Sequence, residues 1–315
     1  MPTWLPSIPY QVPGHGYWDP VTSTLEWCEE DYYATPYAAE MVNTLTNVLF
    51  LYFAYLGLRS CIKYGHDTVF HISFIGYLLV DPWQLVDELN MIYTTCLMCY
   101  ATFSYSRSTL FKSSLASALS LLCVGITLYY HYLQDPKFHQ RVYALLTLTI
   151  VVRQMYVMEF TLRPRLKDSE NRYKLRHGRS MGMDEKEMSR GEDSRDQQIL
   201  KNMWVMIGVG LTTFLAGFGI WALDIVYCSR LKGWRRELGL PWGIVLEGHG
   251  WWHLMTGTGA YFYITWAIWL RHCLNGRQDE FDLVWPRLFS LPEIVRVKSG
   301  SGNGVAVNGH AKKNS

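Results

Sequence analysis

The first forty residues of this 315-residue chain contain neither lysine nor arginine and no continuous apolar core. Both absences argue against a cleaved secretory leader, so the first apolar run downstream has to direct insertion itself. There is no internal repeat, and an excess of charge is missing too: 29 Lys and Arg stand against 27 Asp and Glu. A net charge of +2 gives no basis for a nucleic-acid partner. Length is lacking in one place. The apolar stretch TVFHISFIGYLLV, Thr68 to Val80, is bounded by His66-Asp67 and by Asp81-Pro82. Its 13 residues rise only about 20 Å as a helix, short of the ~30 Å hydrocarbon layer.

Apolar residues, by contrast, are plentiful: 49% of the chain, with 15% aromatic. Mean hydropathy nevertheless sits at -0.01, so apolar and polar residues have to be segregated into blocks, the pattern of a polytopic membrane protein with polar tails. Continuous runs of roughly twenty residues fall at 41–61, 83–105, 114–133, 139–160, 202–227 and 242–270, each enough to cross a bilayer. Counting the short run as a cut-down second span makes seven crossings. The expected fold is an all-α polytopic bundle of seven transmembrane helices with the second span truncated.

Between 161 and 200 the chain is dense in both charge signs, which predicts a solvated, disordered loop. After about 283 it turns rich in Gly, Ser and Asn, and 273–315 is expected to be a flexible tail. Basic residues orient the bundle. Arg59 and Lys63 follow the first span, Arg107 and Lys112 the third, and Lys and Arg crowd the loop after the fifth. The positive-inside rule then puts residues 1–40 in the lumen and the C-terminus in the cytosol. One connection dissents: SRLKGWRREL carries Arg230, Lys232, Arg235 and Arg236 on the predicted luminal side.

This topology gathers scattered ionisable residues on one membrane face. His249 and His253 of EGHGWWHLMTGTG are four residues apart, hence on one face of a helix, which is half of a common zinc site. Asp87 and Glu88 of PWQLVDELNMIY enter the third span from that side, and Asp224 of WALDIVYC ends the sixth there. Ionisable groups at a span's edge are costly unless solvated or paired, so the set points to a site, although each alone can be an interfacial residue facing water. Arg153, near the cytosolic end of the fifth span, reads as a snorkelling residue. In the N-terminal segment, Glu26, Glu29, Asp31 and Glu40 supply hard oxygen donors of the kind calcium requires. Their spacing is not that of an EF-hand loop, and a solvated acidic turn is the competing reading.

The segments GYWDPVTSTLEWCEEDYYATPYAAEMVNTLTN, QLVDELNMIY, WALDIVYC and HGWWHLMTGTGAY, in that order, closely resemble those of the alkaline ceramidases, integral membrane amidases of the endoplasmic reticulum and Golgi. The resemblance runs from about Gly16 to the end of the seventh span, and the polar loop is similar to that of fungal members. It implies hydrolysis of a ceramide-type lipid, drawn from the bilayer, to a sphingoid base and a free fatty acid. It also implies Zn2+ near one membrane face, held by His249 and His253 with Asp87 as the proton acceptor beside it. Ca2+ would lie on Glu26, the Trp27 carbonyl, Glu29, Asp31 and Glu40.

In that family the third zinc ligand is a histidine in a G-x-G-S-x-x-F-H-x-T-type motif closing the second span, whose serine helps stabilise the oxyanion. Here the chain passes from FIGYLLV straight to DPWQLVDEL, and the motif is absent. The short second run and the missing motif therefore indicate the same deletion at Val80-Asp81. His71, in VFHIS, sits near the cytosolic start of its segment and is a poor substitute. Asp87 could itself enter the coordination sphere, at the cost of becoming a weaker base. A non-catalytic, lipid-binding or receptor-like seven-helix relative stays open for this reason. A transporter ranks lower, because the polar residues gather at one face rather than along a midplane path. Of the seven cysteines, only Cys28 and Cys228 share the luminal side, and similar cysteines stand in both family motifs, so a Cys28–Cys228 disulfide is expected.

Overall fold

The computed structural model describes residues 6–12, 14–19, 27–76, 84–133, 136–167, 183–287 and 290–297. Helix α1 is Met41–Tyr64, α2 Thr68–Gly76, α3 Gln84–Phe103 and α4 Thr109–Leu133. Helix α5, Pro136–Val157, continues through a π turn at Met158–Leu162 as far as residue 167. Helix α6 is Met183–Val226, α7 Cys228–Leu238 and α8 Gly248–Leu274.

Among the described residues, four helical stretches are long and apolar enough to cross a membrane: Met41–Tyr64, Thr109–Leu133, Lys137–Lys167 and Ser194–Val226. Large apolar side chains stand exposed along them, Leu45 and Val48 on α1, Leu121 and Leu128 on α4, Leu145 and Leu148 on α5, Leu211 and Leu215 on α6. A belt of this extent is stable only against lipid. The protein is an integral membrane protein.

Helix α8 is the central post. Its 27 residues reach about 40 Å, and Tyr261, Ile264, Trp266, Trp269 and Leu270 are all buried, so it needs no lipid-compatible surface. Helix α6 approaches it closely where glycines face each other: a β-carbon on Gly259 would fall 2.9 Å from the Gly210 carbonyl oxygen. Small residues let membrane helices meet at backbone distance, which favours van der Waals packing where no hydrophobic drive exists.

The described part of helix α2, Thr68–Gly76, has 9 residues, a rise of about 13 Å. The Val80-Asp81 junction falls outside the described residues. The two ends of the bundle differ in character. At one end the N-terminal segment, the α6/α7 junction and the start of α8 meet. At the other, His66 Nδ1 lies 2.9 Å from His272 Nε2, Arg271 pairs with Asp67 at 3.2 Å, and the Tyr105 hydroxyl donates to the Leu274 carbonyl at 2.8 Å.

The structure corrects three expectations. Of the polar stretch 161–200, residues 161–167 prolong α5, and 183–200 form the start of α6. Charge alone does not forbid a helix: Glu, Lys, Arg and Gln are good helix formers, and acidic residues suit a first turn. Of the expected flexible tail, residues 273–287 and 290–297 are structured. Strands β1, Phe281–Val284, and β2, Glu293–Arg296, pair antiparallel, with Phe281 opposite Arg296 and Val284 opposite Glu293. Phe281 and Ile294 are each 1% exposed, and Phe281 stacks on His272 with centroids 3.6 Å apart. The fold is therefore mostly helical rather than all-α. The alternation FDLV and EIVR carried that signal before the Gly/Ser-rich end began.

Candidate metal centre

The N-terminal segment grips the start of α1. Glu40 occupies the cap position of that helix without capping it. Glu29 does so from a distance, accepting the Val42 N–H at 2.6 Å and the Asn43 N–H at 2.9 Å with its two carboxylate oxygens. A carboxylate against unpaired N–H groups at a helix start is favourable on both hydrogen-bonding and dipole grounds. Glu40 itself accepts the Asn43 side-chain amide at 2.6 Å. Burial, opposed by that amide and reinforced by the Glu29 and Asp31 carboxylates, pushes the Glu40 carboxyl up to about 8. Burial likewise raises Glu29 against the pull of its two backbone donors. Buried carboxyls raised by desolvation sit where added positive charge is stabilising.

His249 and His253 lie on the first two turns of α8, buried to 5% and 4% exposure. Their Nε2 atoms converge at 3.0 Å. The protonation of His253 follows from Thr46: its hydroxyl donates to the Val42 or Asn43 carbonyl, at 2.9 and 3.0 Å, and so accepts from His253 Nδ1 at 3.2 Å. That leaves His253 Nε2 as a lone pair aimed at His249. Two imidazole nitrogens so placed can share a proton or flank one metal ion. The buried Nδ1 of His249 has no hydrogen-bond partner. The Trp27 ring lies over His249, centroids 4.3 Å apart, while the Trp27 N–H bonds the Glu40 carboxylate.

The first turn of α8 is fixed from α6. Asp224 Oδ1 accepts the Gly248 N–H at 3.3 Å. Gly248 is required there, because a β-carbon would fall 2.5 Å from Asp224 Cβ. Asp224 in turn meets Arg235 of α7 at 3.2 Å, and Arg235 stands 3.0 Å from Glu247 Oε2. Two of the four cations that contradict the charge rule are paired locally, Arg235 with Asp224 and Glu247, Arg236 with Glu30.

The predicted residues are brought together unevenly. Cys28 and Cys228 form a disulfide, with Cα atoms 5.4 Å apart, and pin the N-terminal segment to the α6/α7 junction. Glu29, Glu40, Trp27, Asp224, His249 and His253 all belong to this end of the bundle. Glu26 and the side chains of Asp87 and Glu88 lie outside the described residues. The backbone of Asp87 is at the start of α3, the end remote from Ala101, whose carbonyl Arg271 binds. His71 is one helical turn from Asp67, the partner of Arg271, and Arg271 lies about 27 Å along α8 from His253. Among the described residues, no three His, Cys, Asp or Glu side chains come together to hold a metal ion. The histidines fit zinc as two of its donors, and the described carboxylates fit calcium only as part of a shell. Arg235, Glu247 and Thr46 were missed by sequence reasoning; the unexplained cations of α7 were the one signal for Arg235.

The family model described as Ceramidase matches residues 19–295. Alkaline ceramidase 3 of Mus musculus is 28% identical over 294 residues, covering 88% of this chain and 96% of its own length. Alkaline ceramidase YPC1 of Saccharomyces cerevisiae is 29% identical over 305 residues, covering 89% of this chain and 86% of its own. An alkaline ceramidase of Arabidopsis thaliana is 25% identical over 267 residues, covering 81% and 86%.

Proposed function

The chain belongs to the ceramidase family, and from that premise we propose that it hydrolyses the amide bond of a ceramide-type lipid at the His249/His253 end of the bundle. The observation that carries this reading is the convergence of two buried imidazole nitrogens at 3.0 Å. Zinc bound there supplies a Lewis acid and brings the pKa of water toward neutrality.

The chain's own residues do the rest. Thr46 keeps the proton of His253 on Nδ1, so that Nε2 is free to ligate. Trp27 covers His249 and limits the approach of bulk water. Asp87 accepts the proton of the attacking water and passes it to the departing nitrogen. The carbonyl carbon gains the hydroxyl, the C–N bond breaks, and a fatty acid and a sphingoid base result. Glu26, the Trp27 carbonyl, Glu29, Asp31 and Glu40 would hold calcium, which would tie the N-terminal segment to α1. The bundle has seven crossings, with α2 the truncated one, in the membrane of the endoplasmic reticulum or Golgi, its N-terminus luminal and its C-terminus cytosolic. Basic loop residues, once Arg235 and Arg236 are set aside as locally paired, support that orientation.

Mass spectrometry of ceramide-loaded microsomes lacking endogenous ceramidase tests the reading. The chain releases sphingoid base, and His253→Ala stops the release. Equal release with and without His253 contradicts it. A second reading, a lipid-binding relative without catalysis, is favoured by one observation: the sequence passes from FIGYLLV straight to DPWQLVDEL, with no third histidine there to join the pair. Saturable ceramide binding without product marks that case.

A further inference from the structure

We propose that Arg235 is the positioning residue of the histidine centre, a role that rests on the reading of His249 and His253 as a metal-holding pair. Arg235 is fully buried, an expensive place for a guanidinium unless its donors are used. Nη1 donates to the Cys28 carbonyl at 2.7 Å and stands 3.0 Å from Glu247 Oε2. Nη2 donates to Asp224 Oδ1 at 3.2 Å and lies 3.2 Å from Cys28 Sγ. One planar fork therefore joins three separate pieces of chain: the N-terminal segment, the end of α6 and the residue preceding α8.

Each of these partners leads to His249 by one further step. Asp224 accepts the backbone N–H of Gly248, the residue before His249. Glu247 is the residue from which α8 starts. Cys28 follows Trp27, whose ring lies over the His249 imidazole. The backbone of His249 and one face of its ring are thus both referred to Arg235. His253 is held independently, through Thr46 of α1. The buried Nδ1 of His249 makes the arrangement more consequential: it has no hydrogen-bond partner, so the only side-chain hydrogen bond on that ring among the described residues is the one its Nε2 shares with His253. An ammonium cannot replace the fork: lysine carries the charge but cannot address Asp224, Glu247 and the Cys28 carbonyl from fixed directions.

The test uses the full-length protein in detergent–lipid micelles, with Arg235→Lys compared with the parent and with Arg236→Gln as a surface control. Two quantities are read: amide hydrogen exchange at Gly248 and His249 without metal, and zinc affinity by competition with a chromophoric chelator. Arg235→Lys is expected to keep the Cys28–Cys228 disulfide, to speed exchange at both amides, and to weaken zinc binding by about tenfold or more, the usual scale for an outer-shell partner. Arg236→Gln is expected to change neither. Should Arg235→Lys fail to fold, Asp224→Asn, which keeps the size and one acceptor, is expected to give the same pair of effects. Unchanged exchange, or faster exchange with zinc affinity intact, overturns the proposal. A parent that binds no zinc overturns the metal reading itself and the proposal with it, and that outcome is read in the parent alone.

Discussion

Replacing Gly248 by alanine probes the geometry of the histidine end with a single methyl group. The added carbon falls 2.5 Å from Asp224 Cβ, 2.8 Å from Cγ and 3.0 Å from Oδ1, where non-bonded carbons rest at about 3.5–4.0 Å. Either the first turn of α8 shifts by about 1 Å, or Asp224 swings away from Arg235 and from the Gly248 N–H. Overpacking of this kind costs about 1–3 kcal/mol. The larger loss of about 3–5 kcal/mol that follows breaking a buried ion pair is not reached, since Arg235 keeps Glu247 and the Cys28 carbonyl. A displacement of about 1 Å at His249 is expected to cut turnover on the order of a hundredfold. Gly208→Ala is the matched control: it lies within α6, and nothing stands within 4 Å of its β-carbon. There the same methyl gains helix propensity of up to about 1 kcal/mol. Thermal unfolding of purified protein and ceramide turnover measure both. Gly248→Ala unfolds earlier and turns over poorly, while Gly208→Ala matches or exceeds the parent. Parent-like behaviour of Gly248→Ala would refute the close packing of α8 on Asp224.

Alkylation of unreduced protein, followed by mass spectrometry, is expected to leave Cys28 and Cys228 unmodified; labelling of both would reject the bridge. Glu40→Gly is expected to lower the unfolding temperature in calcium and to do so less after chelation, whereas an equal loss in both conditions favours a solvated acidic turn. His66, 5% exposed, bonds His272 and approaches the Ile294 carbonyl of β2 at 3.2 Å. Burial lowers its pKa to about 4, below the unfolded value of about 6.5. The associated stability is complete above pH 6.5 and is lost as pH falls from there toward 4, by about 1.4 kcal/mol per unit. Amide exchange in β1 and β2, corrected for intrinsic rates, should therefore quicken between pH 7 and pH 5, and pH-independent protection would contradict this.

The features legible in the sequence were those with a period or a fixed spacing. Apolar runs located the helices, and the four-residue interval of His249 and His253 put both imidazoles on one face of α8. Features that depend on tertiary partners were not legible. Arg235 looks like a loop cation until Asp224, 11 residues earlier, and Glu247, 12 later, close around it. Glu29 reads as a calcium donor or a solvated acid, yet its described contacts are the Val42 and Asn43 amides, because α1 starts without a capping side chain of its own. The hairpin at 281–296 was hidden by the Gly/Ser-rich end that follows, and the start of α6 by a charge density that reads as disorder. Helix α8 shows the converse limit. It carries the site and the core, yet it is not among the described stretches that are long and apolar enough to cross a membrane.

The central claim, that the histidine pair serves a hydrolytic metal and that the chain is short of one ligand segment, is tested most directly by one comparison. Zinc content and ceramide hydrolysis are measured side by side for the chain as it stands and for a chain with a G-x-G-S-x-x-F-H-x-T segment inserted between Val80 and Asp81. Loss of one ligand and of the oxyanion donor removes several kcal/mol of transition-state stabilisation, each ~1.4 kcal/mol being tenfold. The account predicts tighter zinc binding and at least about a hundredfold faster, chelator-sensitive release of sphingoid base by the restored chain. Equal turnover by the two forms, or no hydrolysis by the restored chain carrying zinc, would contradict it.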